Sequence, residues 1–297
     1  MHILLTGGTG LIGRHLCPFL LNHHKVTVLT RNPIQAAVIL THQVHTVKSL
    51  DEVNFEEVDA VINLAGEPIV NKRWSESQKR TLLNSRINLT LQISKAISRC
   101  ESPPHTFISG SAIGFYGRQE NQPIDESFND IYPEFSHVLC RDWEHAATKA
   151  QSDQTRVCLL RTGIVLAKQG GALGKMLPAF KFGLGGPVGH GQQGMSWIHI
   201  DDMIQLILFV LSHQEIHGPV NATAPNPVDN NEFSQTLASV ISRPAMLRMP
   251  SWVLKLMMGE MSDLLLHGQF VLPNKLLSHN YRFHYPTLQP ALESLKL

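Results

Sequence analysis

The stretch HILLTGGTGLIGRHL, from His2 to Leu16, decides the fold. A short apolar run predicts a buried strand, glycines follow at positions 7, 8, 10 and 13, and a helical pattern begins within them. Glycine permits a tight turn, lets backbone amides approach a pyrophosphate, and lets a helix N-terminus lie close to the strand. This order predicts a dinucleotide-binding loop over Gly7 to Gly13, and it disfavours a glycine-rich turn that binds nothing.

Short apolar runs alternate with helical patterns along the first half of the chain. Alternation of this kind predicts an α/β fold, a Rossmann-like doubly wound parallel sheet covered by helices on both faces. Ser75 and Ser136 are predicted helix N-caps, and Gln78 would complete a capping box with Ser75. The predicted strands are 2–6, 25–30, 59–65, 106–110 and 156–167, and the predicted helices lie near 12–22, 75–99 and 136–150.

The pattern changes after Gly170. Residues 170–200 are rich in glycine and proline, with little periodicity, and predict a lid or substrate loop. We expect residues 1–224 to form the NAD(P)-binding domain and residues 225–297 to form a smaller substrate-side region. The remaining predicted elements are a helix over about 201–212 with Asp201 as N-cap, a strand over 218–223, a helix over about 231–242, and a tail from about residue 244.

Composition narrows the classes of partner and compartment. The 297 residues carry a net charge of +1 with no basic cluster, so we expect no nucleic acid partner. The longest apolar helix candidate is too short to span a bilayer, and no basic leader precedes the first strand, so we expect no membrane partner and a cytoplasmic location. Four cysteines, Cys17, Cys100, Cys140 and Cys158, stand far apart and predict free thiols.

Two arginines point to a phosphorylated cofactor. Arg31 follows the second predicted strand, where an NAD site usually has an acid and where an arginine can pair with a 2′-phosphate. NADP(H) is therefore the predicted cofactor, and a solvated strand end is the alternative. Arg86 lies on the apolar stripe of its helix, so it reaches a cofactor or substrate phosphate, or it extends to the surface or pairs with a carboxylate.

Several motifs together resemble a known superfamily. TGGTGLIG, NLAG, SGSAIGFYG and WIHIDDM resemble the extended short-chain dehydrogenase/reductases over about residues 1–224. More narrowly, NLAGEPI, KRW, RTGIVLA, GKMLPAFKFGLGGPVGHG and WIHIDD resemble the YfcH-type epimerase-family proteins. Those proteins also carry a C-terminal domain of unknown function, which corresponds here to about residues 250–297.

The resemblance implies a sheet of about seven strands with NADP at its carboxyl edge and a smaller C-terminal region over it. It also implies the cofactor contacts, residue by residue. These are Gly7, Thr9, Gly10, Leu11, Ile12, Gly13, Thr30, Arg31, Leu64, Ala65, Gly66, Arg86 and Val165.

The superfamily's catalytic tyrosine and lysine are missing. Glu144 fits the acid that ends the usual Tyr-x-x-x-Lys-x-x-x-Glu pattern, which places Ser136 at the tyrosine position and Cys140 at the lysine position. A serine hydroxyl is too weak an acid, and a cysteine supplies no fixed positive charge. A nucleophilic triad is disfavoured because His137 points about 100° away from Ser136 on the helix.

Three other residues are candidates for proton transfer. Ser111 resembles the superfamily's active-site serine, Tyr116 occupies a loop position that is structural or faces the substrate, and Glu67 follows a cofactor strand. Structural hydrogen bonding is the alternative for each. Lys175 is expected either to clamp an acidic or phosphorylated substrate or to be solvated on the lid.

No metal site is expected. His199, Asp201 and Asp202 lie in a segment that the superfamily uses to join the substrate lobe to the sheet, and His213 and His217 lack the remainder of a zinc motif.

Two functions remain open at this stage. The first is an NADP(H)-dependent oxidoreductase or epimerase acting on an unidentified small polar substrate with unusual proton-transfer groups. The second is a non-catalytic NADP(H)-binding sensor or regulatory protein. The resemblance also implies a homodimer through the helices near 75–99 and 136–150.

Overall fold

The computed structural model describes residues 1–40, 44–119 and 121–297. Its strands are β1 His2–Thr6, β2 Lys25–Leu29, β3 His45–Val47, β4 Ala60–Asn63, β5 Thr106–Ala112, β6 Pro123–Ile124, β7 Arg156–Thr162, β8 Ile164–Leu166, β9 Gly194–Met195, β10 Trp197–His199, β11 Gly218–Ala222, β12 Val228–Asp229 and β13 Phe270–Val271. Its helices are α1 Leu11–Leu21, α2 Pro33–Leu40, α3 Glu76–Ile97, α4 Phe135–Thr148, α5 Gly171–Lys181, α6 Ile200–Ser212, α7 Asn230–Val240, α8 Ser251–Met258, α9 Asp263–Leu266, α10 Asn274–Ser278 and α11 Leu288–Ser294.

Seven parallel strands form the main sheet in the order β11-β7-β5-β4-β1-β2-β3. Strand β1 lies inside the sheet, and its alternate residues face opposite sides. Ile3 and Leu5 join the core cluster that contains α1 and α6, whereas Leu4 joins the cluster that contains α3 and α4. Both faces are therefore buried, which is why the strands read as continuous apolar runs. The predicted Rossmann-like parallel sheet is confirmed.

The long strand predicted over 156–167 is interrupted at Gly163. A Cβ on Gly163 would lie 2.6 Å from the Ser196 carbonyl oxygen, so the chain passes close to a neighbouring backbone there. Strand β7 ends at Thr162 in the main sheet, and β8 pairs with β10 in a separate two-stranded sheet. The predicted strand is one run in the sequence, but its second part, β8, leaves the main sheet.

Two of the cap predictions need correction. The predicted N-cap Ser136 lies inside α4, where its hydroxyl donates to the Glu134 carboxylate at 2.6 Å, and Glu134 is the N-cap residue. The predicted N-cap Asp201 lies in the first turn of α6, whose N-cap is His199. In both helices the N-cap lies two residues earlier than the predicted one.

The cap at the start of α3 is confirmed in part. The Ser75 hydroxyl accepts a hydrogen bond from the Gln78 amide at 3.2 Å. The capping box is not formed, because the Ser75 amide donates to the Arg73 carbonyl, and the Gln78 side-chain amide nitrogen is buried without a partner among the described residues.

The lid predicted over 170–200 contains a helix, α5, and the short strands β9 and β10. Glycine and Pro178 give α5 a weak intrinsic preference for helix. Burial of Leu173, Leu177 and Phe180 in one core cluster stabilises it nevertheless. Among the described residues, no helix is both long enough and apolar enough to cross a membrane.

A buried carboxylate joins the C-terminal segment to the main sheet. Asp202, in the first turn of α6, is 1% exposed and accepts hydrogen bonds from the amides of His284 and Tyr285 at 2.7 and 2.8 Å. The Tyr281 hydroxyl donates to the Asp202 carbonyl at 3.0 Å, and the ring of Tyr285 packs on His199. The motif WIHIDD therefore holds residues 281–285 against α6, as the resemblance implied.

Replacing Asp202 with asparagine is expected to lower the free energy of unfolding by about 2 to 3 kcal/mol, because the amide of asparagine would face a backbone donor and a charge-assisted bond would be lost. Urea denaturation followed by circular dichroism measures this. Asp201→Asn is the matched control, since that side chain is 65% exposed, and it should change stability by less than about 0.5 kcal/mol. Equal effects of the two substitutions would contradict the anchoring role.

Candidate functional site

Close contact between backbones shapes the turn from β1 to α1. Gly7 has a φ of +69°, and a Cβ there would lie 2.6 Å from the Leu64 carbonyl carbon. A Cβ on Gly13 would lie 2.3 Å from the Gly7 carbonyl oxygen. A side chain at either position would push α1 or the end of β4 away from the turn.

The N-terminus of α1 leaves backbone amides available to an anion. Gly10 is its N-cap residue and provides no side-chain hydrogen bond, and the first turn from Leu11 carries no acid. Thr9 is exposed in the turn before it, and Ile12 lies in the first turn. Unpaired amides at the positive end of a helix dipole bind anions, so this cradle fits the pyrophosphate of a dinucleotide.

The residues after β2 reach the same edge of the sheet. Strand β2 pairs with β1 in parallel, so its end lies beside the glycine turn. The Thr30 amide donates to the Val47 carbonyl at 2.9 Å, which fixes the backbone, and Arg31 is exposed next to it. A guanidinium in this position can meet a phosphate at the adenosine end of a dinucleotide.

The residues after β4 form the opposite side of the cradle. The Leu64 and Ala65 amides donate to the carbonyl and hydroxyl oxygens of Thr6, both at 3.2 Å. The Thr6 hydroxyl in turn donates to the Asn63 side chain at 2.6 Å. These bonds fix the backbone of residues 64–66 against the end of β1.

Arg86 lies directly over this backbone. A Cβ on Gly66 would lie 2.9 Å from the Arg86 guanidinium carbon. The guanidinium donates to the Leu82 and Glu67 carbonyls at 3.2 and 2.9 Å, and burial lowers the Arg86 pKa. Its hydrogen-bond partners are carbonyls and the Ser85 hydroxyl, not a carboxylate, so its positive charge faces the predicted cofactor cradle without a paired anion in the described residues.

The start of α5 closes the cradle from the C-terminal side. A Cβ on Gly171 would lie 3.0 Å from the Leu11 side chain and 3.3 Å from the Val165 carbonyl oxygen. Predicted cofactor residues from the glycine turn and from β8 therefore meet at one place.

A buried hydrogen-bond network lies at the ends of β5 and β7. The Ser111 hydroxyl donates to the Glu144 carboxylate at 2.6 Å. Arg161 donates to both oxygens of that carboxylate at 2.8 and 2.9 Å. Sequence reasoning missed Arg161, although an arginine inside the apolar strand RVCLLRT was a signal, because a buried guanidinium requires an anion.

Tyr116 completes this network from the loop after β5. Its side chain is fully buried, its hydroxyl donates to the Asn221 side chain at 2.8 Å, and it accepts from Arg161 at 3.1 Å. Burial raises the Tyr116 pKa, although the neighbouring Arg161 lowers it in part. The phenol is therefore a neutral group that contacts the guanidinium at neutral pH.

Ser136 and Cys140, the residues predicted at the tyrosine and lysine positions, lie on the buried face of α4 beside Gly114. Burial, together with the nearby Glu144, raises the Cys140 pKa to about 12, so the thiol is neutral at physiological pH. His137 Nδ1 contacts the Phe115 carbonyl at 2.6 Å, so it forms no triad with Ser136.

Glu67 begins the segment 67–74, which follows residues 64–66 of the cradle. The Glu67 amide donates to the Ser85 hydroxyl at 3.1 Å, and its carbonyl accepts from Arg86, so its backbone is fixed while its side chain remains partly exposed. A carboxylate with a fixed backbone at the edge of a cofactor cradle is placed to exchange a proton with a ligand.

Helices α5 and α8 hold this segment. Lys175 on α5 donates to the Val70 carbonyl at 2.8 Å and to Asn71 at 2.6 Å. Arg73 donates to the carbonyl of Leu256 in α8 at 3.2 Å. Lys175 was expected either to clamp a substrate or to be solvated, but in the structure it ties α5 to the segment 67–74.

The histidines considered as metal ligands in the sequence make contacts with nearby residues. His199 accepts from the Asp201 amide at 3.1 Å and lies 3.2 Å from the Ser294 hydroxyl. His213 lies against the Phe209 carbonyl at 2.8 Å, one turn earlier on α6. In the described ranges, no three histidine, cysteine or acidic side chains gather as metal ligands would.

Comparison with known proteins identifies relatives along the whole chain. The profile of the NAD dependent epimerase/dehydratase family matches residues 3–222, and a domain of unknown function, DUF1731, matches residues 249–295. An epimerase family protein of Mycobacterium leprae is 39% identical, covering 98% of this chain and 94% of its own. The chloroplastic epimerase family protein SDR39U1 homolog of Arabidopsis thaliana is 38% identical, covering 99% and 86%.

A solved structure agrees with this relationship. The crystal structure of human epimerase family protein SDR39U1 (isoform 2) with NADPH has a TM-score of 0.91 and 34% identity, and the match covers 99% of each chain. The resemblance to extended short-chain dehydrogenase/reductases with an added C-terminal domain is confirmed.

The four cysteines are free, and three of them are expected to resist alkylation at pH 8 in the native protein. Burial raises the pKa of Cys17 and Cys158 to about 11 and contributes to the value of about 12 for Cys140, so each thiol stays protonated below those values. Iodoacetamide labelling followed by mass spectrometry should modify at most Cys100 in native protein and all four in guanidinium chloride. A Cys100→Ser variant should leave the native protein unlabelled, and rapid labelling of two or more native thiols would contradict the burial.

Proposed function

Because the chain belongs to the NAD dependent epimerase/dehydratase family, we propose that it is an NADP(H)-dependent oxidoreductase or epimerase that moves a hydride to or from a small polar substrate. The observation that carries this proposal is the intact cradle formed by Gly7, Gly13 and the open N-terminus of α1. The NADPH in the crystal structure of the human relative supports the choice of cofactor.

The cofactor contacts divide by the part of the molecule that each would hold. Gly7, Thr9, Gly10, Leu11, Ile12 and Gly13 would bind the pyrophosphate through the backbone. Thr30 and Arg31 would bind the 2′-phosphate, and Leu64, Ala65 and Gly66 would line the adenosine side with Arg86 above them. Val165 would contact the nicotinamide end. When bound, NADP(H) supplies the hydride, and the protein supplies orientation and proton transfer.

Ser111 is the group that we place nearest the reacting atoms. Its proton is committed to Glu144 by the 2.6 Å hydrogen bond, so its lone pairs are the part left for a substrate. A substrate hydroxyl can donate to Ser111 while Ser111 donates to Glu144. This arrangement gives the proton of an alcohol a route to a carboxylate as the alcohol is oxidised.

Arg161 and Tyr116 position this pair. Two guanidinium bonds hold Glu144 in place, and the Tyr116 hydroxyl, buried between Arg161 and Asn221, fixes the guanidinium. The catalytic role predicted for Tyr116 stays a prediction, and these contacts favour a positioning role for it. Glu67, whose side chain is partly exposed at the edge of the cofactor cradle, is the second candidate for acid or base.

The second candidate function is a non-catalytic NADP(H)-binding sensor or regulatory protein. It is favoured by Cys140, because a neutral buried thiol stands where the superfamily's lysine would be. The cytoplasmic location and the homodimer through α3 and α4 also stay predictions.

Replacing Arg31 with alanine is expected to weaken NADPH binding roughly ten- to hundredfold and to leave NADH binding unchanged, because a charge-assisted contact with a phosphate contributes about 1.5 to 3 kcal/mol. Fluorescence titration with both cofactors measures the ratio. Arg99→Ala, a change of another exposed arginine, is the control and should leave both affinities unchanged. Equal affinity of the wild type for NADH and NADPH would remove Arg31 from the site.

Stopped-flow absorbance of bound NADPH, mixed with a panel of sugar nucleotides, quinones and aldehydes, tests catalysis. We expect at least one panel member to oxidise the cofactor, and we expect Ser111→Ala or Glu67→Gln to slow this about a hundredfold or more with little change in NADPH affinity. Glu101→Gln, which changes an exposed acid elsewhere, should have no effect. Cofactor binding without turnover by any member would favour the sensor.

A further inference from the structure

Exposed apolar side chains concentrate on two segments of the C-terminal half, residues 181–189 and 243–258. We call these two segments the apolar face. Monomeric proteins seldom leave such a concentration of apolar surface without a binding role. Of the fifteen large apolar residues exposed in the described ranges, the face carries eight, namely Phe182, Leu184, Met246, Leu247, Met249, Trp252, Leu256 and Met257.

Backbone hydrogen bonds join the two segments. The Met249 amide donates to the Pro187 carbonyl, and the Gly189 amide donates to the Met249 carbonyl, both at 2.9 Å. Further along, the Arg243 guanidinium donates to the Lys181 carbonyl at 3.0 Å. The segments therefore lie side by side, and α8 forms the C-terminal part of the second segment. The two segments that carry the eight side chains are thus neighbours on the surface.

The same face is positively charged. The two segments contain four cationic residues, Lys181, Arg243, Arg248 and Lys255, and no aspartate or glutamate. Arg248 donates to the Gly189 carbonyl and to Asn231, both at 2.9 Å, so its hydrogen-bond partners are neutral. None of the four cations forms an ion pair within the part of the chain that the structure describes.

The positive charge of the face favours some binding partners over others. A second copy docked through the same surface would bring like charges together, which disfavours self-association. An anionic group would satisfy the cations, and an apolar chain would cover the exposed side chains. The surface is thus complementary to a molecule that carries both.

Helix α5 joins the cofactor cradle to the apolar face. Helix α5 starts beside Leu11 and Val165 in the cofactor cradle and ends at Lys181, next to Phe182. Helix α8 contacts the segment 67–74 through the bond from Arg73 to the Leu256 carbonyl. A ligand that extends along α5 would therefore contact both the cradle and this face.

We propose that the apolar face binds an amphipathic anion, a molecule with an apolar chain and a phosphate or carboxylate group, and that such a molecule, taken up singly from solution, is the substrate. Its polar reacting group reaches Ser111, its chain lies along Phe182 and Trp252, and its anionic group meets the cations. This proposal replaces the small polar substrate of the proposed function with an amphipathic one, and it rests on that function for the reaction.

Isothermal titration of the NADPH-saturated protein with octyl phosphate, decyl phosphate and inorganic phosphate, below micelle-forming concentrations, tests the face. Each buried methylene is expected to tighten binding about fourfold, so decyl phosphate should bind at least tenfold more tightly than octyl phosphate. Decyl glucoside, which is neutral, should bind about tenfold more weakly than decyl phosphate at low salt, and high salt should reduce this difference.

Variants locate the binding. Combining Phe182→Ser with Trp252→Ser should weaken decyl phosphate binding at least tenfold. Phe19→Ser, which changes an aromatic residue 46% exposed on α1, is the matched control and should leave it unchanged. NADPH affinity should be the same in all of these proteins, which shows that the fold is retained.

Three results would overturn the proposal: no dependence on chain length, unaltered binding in the double variant, or binding to anionic phosphatidylglycerol vesicles without binding to monomeric decyl phosphate. The failure of the reaction is separable from the failure of the face. Decyl phosphate could bind as expected while neither decanal nor amphipathic ketones with a phosphate group oxidise bound NADPH. That result would show that the face binds an amphipathic anion but is not a substrate site. If a sugar nucleotide oxidises NADPH and decyl phosphate does not bind, the proposed reaction is supported and the proposed binding role of the apolar face is overturned.

Discussion

The contact between the first glycine turn and the end of β4 is the constraint on which the rest of the site depends. Gly7 and Gly13 let three backbones, those of the turn, α1 and β4, approach more closely than any side chain would permit. The approach aims the first amides of α1 into the space above the sheet. The same contact places residues 64–66 at the rim of that space, where Arg86 covers them. An anion-binding cradle therefore follows from packing that is already needed to seat α1 on the sheet.

The chemistry next to this cradle depends on where positive charge is held. In the superfamily a lysine on the helix equivalent to α4 would supply it, but the buried thiol of Cys140 stays neutral. Positive charge comes instead from the neighbouring elements, from Arg161 on β7 and Arg86 on α3. Arg161 donates its hydrogen bonds to Glu144 and Tyr116, whereas Arg86 donates to neutral oxygens. Arg161 therefore holds the Glu144 carboxylate in place with two hydrogen bonds, while Ser111 donates a third to it.

Local patterns predicted what depends on local physics. The glycine turn and the alternation of strands and helices could be read from the sequence, because each is set by short-range spacing. The absence of a catalytic tyrosine and lysine stays a prediction. Features that depend on tertiary packing could not be read from the sequence. Helix α5 could not be predicted, because its glycines and Pro178 lower its helix propensity. Burial of Leu173 and Phe180 stabilises it instead. The partnership of Ser111, Glu144 and Arg161 joins residues up to fifty positions apart, and only the order of strands in the sheet brings them together.

The bonds from Asp202 to the amides of His284 and Tyr285 limit how this architecture can evolve. The two partners lie more than eighty residues apart, one within the stretch matched by the epimerase profile and the other within the stretch matched by DUF1731. Removal of the C-terminal stretch would leave this buried carboxylate without its amide donors, at a cost of several kcal/mol. A C-terminal stretch transplanted onto another sheet would likewise need an acid at the start of the helix equivalent to α6, because its two backbone amides would otherwise lose their acceptor.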